Sequence, residues 1–256
     1  MILIVGSQHD DILYFETVMS NKKQELILGQ YPVTIGTIFN QGVVLVDQVK
    51  TNYVSSALIL YLIEKYFIFL VFNVGRCIAY THDVKPLEIA ISKRVVAGDV
   101  DQINEDNVKF AQIPGYEQVF VCQDDIIGYL SDAFEKRTYS KTKVSNFIST
   151  SVDYRRAEQV SHLKECEHLL GFANNVVFDS NSAGLALACS LKKVAFVSVK
   201  VIERYIDGQK DINSYLKALK EYTSIGKAVV TCIGDIHLRY LRRYREWPEE
   251  PIHWAH

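Results

Sequence analysis

The sequence predicts a single α/β domain in which a central mixed β-sheet is flanked by helices. Short runs rich in β-branched residues recur along the chain, and segments with helical spacing of apolar residues separate them. This alternation is typical of a largely buried sheet whose strands are connected by helices. A chain of 256 residues without a Ser/Gly-rich linker is long enough to bury one sizeable core. We expect residues 1–235 to form this domain.

The first strands are predicted near the N-terminus. Residues 2–5 are an uninterrupted apolar run, and residues 27–38 alternate between apolar and polar side chains. Residues 43–46 form another apolar run directly after the Asn-Gln-Gly sequence at 40–42, which favours a tight turn. The second and third runs therefore predict an antiparallel hairpin, which makes the sheet a mixed one.

The next segment predicts a helix that leads directly into a buried strand. Residues 52–66 carry apolar side chains at helical spacing, with Thr51 or Asn52 in position to cap the N-terminus. The apolar residues 67–74 follow without a break. The rest of the chain repeats this order, with strands predicted at 87–91, 119–122, 144–149, 176–178 and 194–199, and helices at 124–136, 155–170 and 182–191.

Residues 236–256 predict a basic and aromatic C-terminal tail that differs from the domain before it. From Arg239 onward the chain is rich in Arg, Tyr and Trp, and it then contains a Pro-Glu-Glu-Pro sequence. Either this tail packs on the protein surface, or it is an arm that recognises a partner.

The charge balance excludes some classes of partner. The 28 basic and 30 acidic residues give a formal net charge of -2, so no global field attracts nucleic acid or an anionic membrane. The most apolar stretch, at 57–74, contains Glu64 and Lys65 at its centre and does not suit a membrane span. The apolar N-terminal run is too short for a secretion signal. We expect a cytoplasmic protein with a small-molecule or protein partner.

The cysteines are typical of reduced core thiols. There are five, which is an odd number, and most lie within apolar runs. The sequence contains no Cys-x-x-Cys pair and no His/Cys spacing of a zinc site. We therefore expect neither a bound metal nor a cofactor.

Three segments share their order and spacing with a known family. Residues 4–12 (IVGSQHDDI) are a strand, a glycine and an acidic run, residues 87–115 contain Gly-Asp-Val-Asp and Gln-Ile-Pro-Gly, and residues 177–204 are a helix entry followed by a strand. Together they resemble the nucleoside phosphorylase and methylthioadenosine/S-adenosylhomocysteine nucleosidase superfamily. The resemblance implies that fold, and it implies cleavage of the N-glycosidic bond of a purine nucleoside. In relatives the second segment helps to build a dimer, so a homodimer is expected.

The resemblance also indicates where catalytic groups lie. Relatives protonate the departing base, while another carboxylate orders the attacking water. Asp11 falls on the position of the water-ordering carboxylate. The proton donor ends the family's Arg-Ala-Ile-Ser-Asp strand, and Arg204 occupies that position here. A guanidinium cannot be a general acid near neutral pH, so the donor has been replaced.

Two nearby carboxylates are candidates for the missing acid. Glu203 directly precedes Arg204, and Asp207 follows it by three residues. Because neighbouring strand residues point to opposite faces, Glu203 reaches the family's position only if the strand bulges or unwinds locally. Otherwise both carboxylates are solvated or salt-bridged surface groups.

Residues 178–181 fall on the Val-Glu-Met-Glu segment that holds the ribose hydroxyls in relatives. Ser180 and Asn181 match its Met-Glu pair, and the Asn181 amide can bond a hydroxyl but carries no negative charge. Asp179 retains a carboxylate, which either faces the ligand or caps the following helix. Phe178 opens the segment and is expected to contact the ligand.

Glycine-rich turns of the family are altered in this chain. The Thr-Gly-Ser-Ala-Gly-Gly turn keeps only Gly75 and introduces Arg76. A guanidinium suits phosphate or carboxylate, so Arg76 either binds an anionic ligand or forms a salt bridge. The Ser-Gly-Ile-Gly-Lys segment has lost both glycines, and its Lys50 is interpreted as a surface lysine. Ser149 and Tyr154 also fall near ligand-contacting segments of the family.

Two functions follow from these substitutions. The first is a divergent nucleosidase or phosphorylase that acts on a nucleoside or related N-glycoside, in which Asp11, Asn181 and either Glu203 or Asp207 share the chemistry. The second is a catalytically lapsed relative that binds a nucleoside-like ligand or acts as a partner or scaffold subunit. Arg204, Asn181 and the missing glycines favour the second function.

Overall fold

The computed structural model describes residues 1–100, 109–151, 174–208 and 212–245, without the side chains of 212–215 and 239–245. These residues form a mixed β-sheet flanked by helices, which confirms the predicted fold class. The helix predicted at 155–170 lies outside the described residues, as do Cys166, Tyr154 and the chain after residue 245.

The described part of the chain contributes ten strands to one sheet. The strands are β1 (Ile2–Gly6), β2 (Ser20–Ile27), β3 (Tyr31–Ile38), β4 (Gln41–Val46), β5 (Leu70–Ala79), β6 (Ile89–Ala97), β7 (Phe120–Val121), β8 (Thr142–Ser149), β9 (Val176–Asp179) and β10 (Ala195–Tyr205). Their order is β10-β6-β8-β9-β5-β1-β4-β3-β2, and β7 pairs with β6. Because β10 also pairs with β5, the strands β5, β9, β8, β6 and β10 close into a barrel, from which the other strands extend.

The centre of the sheet is buried on both faces. β1 lies between β4 and β5 and runs parallel to both. All of its residues are buried, and so are the first six residues of β5. Strands covered on both faces are continuous apolar runs, which is why the sequence predicts this part of the sheet well. Both β5 and β10 continue several residues beyond their predicted ends.

The predicted hairpin is confirmed, and an additional strand precedes it. β3 and β4 pair in antiparallel register from Val33 opposite Val46 to Ile38 opposite Gln41. β2 pairs with the other side of β3, is largely exposed, and ends at Ile27, which was predicted to begin the hairpin. Its polar sequence lacks the alternation that predicts a strand, as is common where a strand forms the edge of a sheet.

The described helices are α1 (His9–Val18), α2 (Asn52–Tyr66), α3 (Asp124–Arg137), α4 (Ser182–Lys192) and α5 (Ile212–Arg245). The predicted cap of α2 is present, because the Thr51 hydroxyl accepts the Val54 amide at 3.3 Å. α2 lies directly against α4 at Gly184. A side chain at this position would overlap the Asn52 carbonyl and the Ser55 hydroxyl, so this glycine sets how closely the two helices approach.

Two of these helices have no predicted counterpart. α1 begins with His-Asp-Asp and is only ten residues long, so its apolar stripe is too short to recognise. α5 carries a clear signal, since Tyr222, Ile225 and Val229 recur at helical spacing and are buried. This helix runs across the predicted boundary between residues 235 and 236.

None of the described helices is both long and apolar enough to cross a bilayer. The cysteines Cys77, Cys122, Cys189 and Cys232 are buried free thiols, as predicted. Burial raises the pKa of Cys122 to about 12, so this thiol stays protonated.

Candidate active site

A cavity of about 360 Å³ opens where several strands end. Segments that follow β1, β4 and β8 contribute to its wall, together with the last residues of β5, β9 and β10. The lining residues are Ser7, Gln8, Lys50, Arg76, Cys77, Ile78, Thr150, Ser151, Phe178, Asp179, Ser180, Glu203 and Ile206. Its volume lies within the usual range of small-molecule sites. Five of the ten predicted site residues therefore share one cavity: Arg76, Phe178, Asp179, Ser180 and Glu203.

A β-bulge places Glu203 in this cavity. Along the parallel pair of β10 and β5, Ile202 lies opposite Cys77 and Arg204 lies opposite Ile78, so Glu203 is an extra residue without a partner. A bulge changes the face to which the following side chains point. Glu203 was expected to reach the position of the acid in the resembling nucleosidases only if the strand bulged, and the strand contains a bulge at that residue.

Arg76 is the charged neighbour of Glu203 in the cavity. Its Nη1 atom lies 3.6 Å from Glu203 Oε1, and the two side chains are 23% and 12% exposed, respectively. This contact agrees with the salt-bridge interpretation of Arg76. Because both residues also line the open space, the ion pair presents a positive and a negative group to a ligand at the same time.

Arg204 does not line the cavity, and its predicted role as a ligand-binding residue is corrected. The side chain is buried, and its Nη1 atom donates to the carbonyl oxygens of Tyr205, Ile206 and Gly208 at 3.1, 3.1 and 3.2 Å. Arg204 therefore holds the turn that follows β10. Asp207, the other candidate acid, is exposed on that turn and lies outside the lining.

Asp11 lies in the first turn of α1 and is 3% exposed. Its Oδ2 atom accepts the backbone amides of Ser7 and Gln8, each at 2.8 Å. Its Oδ1 atom has no hydrogen-bond partner among the described residues. A buried acceptor of this kind requires a partner, such as water or a ligand. Asp11 is outside the lining, but its two amide donors line the cavity.

Burial raises the pKa of Asp11 above its ordinary value. The Gln8 amide, the positive charges of Lys200 and Arg76, and the Ser7 amide all oppose that rise. Gly75 makes room for this carboxylate. Its φ angle is 142°, and a Cβ atom there would lie 2.9 Å from Asp11 Oδ2, so both the backbone and the space require glycine.

Asn181 lies behind the cavity wall instead of in it. It is fully buried, and its Oδ1 atom accepts from Asn73 at 3.0 Å and from Lys200 at 2.6 Å. Its Nδ2 atom donates to the Val49 carbonyl at 2.7 Å and to the Ser7 hydroxyl at 3.3 Å. An amide makes four such bonds at most. The prediction that Asn181 binds a sugar hydroxyl is therefore corrected.

Asp179 combines a structural role with a place in the lining. Its Oδ2 atom lies 2.7 Å from Lys200 Nζ, and it also accepts a short hydrogen bond from the Ser182 hydroxyl. Its Oδ1 atom accepts the Ser182 amide at the start of α4, at 3.4 Å, although the N-cap position of that helix is Asn181. Lys200 is only 1% exposed, so this ion pair is shielded from water.

Other predicted and unpredicted residues complete the site. Ser149 is buried and donates to Asn52 Oδ1 at 2.9 Å, which removes it from the cavity and corrects its predicted role. The two residues after it, Thr150 and Ser151, line the cavity instead. Lys50 is exposed, as predicted, but it also stands at the cavity wall. The sequence could have indicated these residues only through their position in segments that follow strands, because α/β folds bind ligands at the ends of strands.

The sequence matches no known family model and no curated protein. The structure, in contrast, has the same fold as solved nucleosidases and a futalosine hydrolase, in agreement with the fold that the three segments predicted. At this level of sequence identity, 14% to 16%, the similarity shows the fold alone.

Three of these solved structures align with at least 91% of this chain. The S-adenosylhomocysteine nucleosidase of Streptococcus pyogenes, in complex with 5-methylthiotubericidin, has a TM-score of 0.80 at 14% identity and covers 92% of this chain and 96% of its own. The 5'-methylthioadenosine/S-adenosylhomocysteine nucleosidase of Neisseria meningitidis, in complex with methylthio-immucillin-A, has a TM-score of 0.80 at 16% identity, with 91% and 97% covered. Futalosine hydrolase of Helicobacter pylori has a TM-score of 0.79 at 14% identity, with 91% and 97% covered.

Proposed function

We propose that this protein cleaves the N-glycosidic bond of a purine nucleoside or a related N-glycoside. The observation that carries the proposal is the bulge at Glu203. Arg204 occupies the sequence position of the family's acid and turns away, while the bulge brings the preceding carboxylate to the cavity. The ligands of the Streptococcus and Neisseria nucleosidases support a nucleoside-like ligand for the same fold.

In the proposed reaction, Glu203 serves the base and Asp11 serves the sugar. The bond between the anomeric carbon and the base nitrogen breaks, and its electron pair leaves with the base, which gains a proton from Glu203. Water then bonds to the anomeric carbon and loses a proton to Asp11. The Oδ1 atom of Asp11, which has no hydrogen-bond partner among the described residues, is the acceptor that orients this water.

The buried pair of Lys200 and Asp179 supports the wall behind the sugar. With Asn181 fully bonded, the polar groups that the described lining offers to a sugar include four hydroxyls, from Ser7, Thr150, Ser151 and Ser180. Hydroxyls can both donate and accept, but they do not stabilise a cationic sugar as a carboxylate does. We therefore expect slower turnover than an enzyme with an acidic clamp would show.

The test is release of free base from a substrate panel. Purified full-length protein is incubated with methylthioadenosine, S-adenosylhomocysteine, inosine and adenosine, each with and without phosphate. Base release without phosphate supports hydrolysis, and base release that depends on phosphate supports phosphorolysis. The absence of free base across the panel contradicts the proposal.

One observation favours a second function, a ligand-binding protein without turnover. The Arg76 guanidinium contacts the proposed acid, so a bound base has to compete with this ion pair for the carboxylate. On this alternative, a nucleoside raises the melting temperature through binding while no base is released. The same panel, read by thermal shift, separates the two functions.

The assembly state belongs to the proposal as well. We infer a homodimer, because the segment at 87–115 resembles the stretch that builds the dimer in relatives; the cytoplasmic location stays a prediction from the sequence. The mass of the purified protein in solution, measured by light scattering, tests this inference. A monomer at micromolar concentration contradicts it.

A further inference from the structure

A second cavity, of about 630 Å³, lies on another side of the molecule. It is bounded by α1, the turn between β3 and β4, the C-terminal end of α3, and one face of α5. It shares no lining residue with the candidate active site. Its volume falls within the range of roughly 300–1,000 Å³ that small-molecule sites occupy.

Two aromatic rings form walls of this second cavity. Tyr14 comes from α1, and Phe39 comes from the turn between β3 and β4, where its side chain is 59% exposed. Each ring rests against a glycine of α5. A Cβ atom at Gly226 would overlap the Tyr14 ring, and one at Gly234 would lie 3.2 Å from the Phe39 ring.

The two glycines carry an energetic cost. A glycine inside a helix is less stable than alanine by about 1 kcal/mol, and α5 has two of them, eight residues apart. Phe39 adopts a φ angle of 50°, which is unfavourable for a bulky side chain. Both α5 and the turn therefore contain residues that are unfavourable for their backbone conformation where the rings contact α5. Val230 lies between the two glycines and forms the apolar floor of the cavity.

The rim of the second cavity is positively charged. Among the described lining residues, Arg137 and Lys227 are cationic and one, Asp235, is acidic, and His237 lies beside them. Within the described ranges, none of these four side chains forms a salt bridge. The guanidinium and the ammonium group both line the cavity, and an arginine fork suits carboxylate, sulfonate or phosphate oxygens.

We propose that the second cavity is a binding site for a small molecule that combines an aromatic ring with an anionic group. The ring lies against Phe39 and Tyr14, over the floor at Val230. The anionic group faces Arg137 and Lys227. This site is separate from the candidate active site, and the inference does not depend on the proposed function.

The test uses two fluorescent probes that differ in charge. 1-Anilinonaphthalene-8-sulfonate carries a ring system and a sulfonate, and N-phenyl-1-naphthylamine carries the rings alone. Full-length protein is titrated with each probe. We expect saturable binding of the anionic probe, with an affinity reduced about tenfold when Arg137→Gln and Lys227→Gln are combined. The neutral probe should bind with unchanged affinity to that variant.

The matched control is Lys136→Gln, which removes a cation next to Arg137 but outside the lining. It should leave the affinity for the anionic probe unchanged. Phe39→Ala should weaken the binding of both probes. Gly234→Leu places a side chain in the cavity and should also weaken the binding of both probes, without removing a ring. Circular dichroism checks that each variant is folded. Equal affinity of the anionic probe for wild type, Phe39→Ala and the double variant would overturn the proposal.

Discussion

Lys200 Nζ lies 2.7 Å from Asp179 Oδ2 in a part of the protein that water does not reach. The same ammonium group donates to Asn181 at 2.6 Å. A buried charge is tolerated only when it is paired and hydrogen-bonded. The ion pair therefore joins β10 to the end of β9 directly behind the candidate active site, and removal of either charge leaves the other one uncompensated.

Lys200→Met is expected to lower the free energy of unfolding by about 3–5 kcal/mol, because it strands the Asp179 carboxylate. Asp179→Asn combined with Lys200→Met should cost less than the single change, because no lone charge remains. Urea unfolding measures both. Lys136→Met, at an exposed pair with Asp132, is the control and should shift stability by no more than about 0.5 kcal/mol. A double variant that loses more stability than Lys200→Met would contradict this account.

Asp11→Asn is expected to change both activity and the pH dependence of stability. The pKa of Asp11 is raised in the folded protein from its ordinary value of 3.8, so folding favours the protonated form. Its contribution to stability is fully present below pH 3.8 and is lost as pH rises through the raised value. Asparagine has no such loss. The free energy of unfolding of the variant, relative to that of wild type, should therefore increase with pH. The total increase is about 1.4 kcal/mol for each tenfold difference in the proton affinity of Asp11 between the folded and the unfolded protein.

Melting temperatures of both proteins test whether the stability difference changes in this direction. They are measured between pH 4 and pH 8, with about one reading per pH unit. In the same variant, base release should fall by about 10²- to 10⁴-fold, because the water loses its proton acceptor. A difference in melting temperature that stays constant over this pH range would show that Asp11 has the same proton affinity in the folded and unfolded chain.

Two helix glycines should respond oppositely to alanine. Gly184→Ala forces a methyl group into the Asn52 carbonyl and the Ser55 hydroxyl, and we expect a loss of at least about 2 kcal/mol from overpacking. Gly128→Ala, within α3, meets no atom within 4 Å and should gain about 1 kcal/mol from helix propensity. Urea unfolding of both variants gives the comparison. Equal effects at the two positions would mean that α2 and α4 are not in this close contact.

Much of the fold could be predicted because burial leaves a periodic record in the sequence. β1, β5 and α2 were found in this way, since their apolar residues follow the spacing of the element. β2 could not be found, because an exposed edge strand needs no apolar alternation. The order and spacing of three segments also indicated a fold similar to that of the nucleosidases, even though no family model matches the sequence.

The candidate site could be predicted only in part, because side-chain direction depends on contacts between distant segments. Nothing in the residues around 203 signals a bulge, so the sequence could not show that the register of β10 against β5 leaves Glu203 as an extra residue. Asn181 was assigned to a ligand for a similar reason. Its partners Asn73 and Lys200 lie on other strands, and the local sequence does not reveal that they use its amide.

The measurement that tests the account most directly compares Glu203→Gln with Asp207→Asn. Both changes remove one carboxylate near the end of β10, but only Glu203 lines the cavity. Initial rates of base release from the best substrate of the panel should fall by about 10²- to 10⁴-fold in Glu203→Gln and stay within about twofold of wild type in Asp207→Asn. Equal rates in Glu203→Gln and wild type would contradict the assignment of the bulged carboxylate as the proton donor.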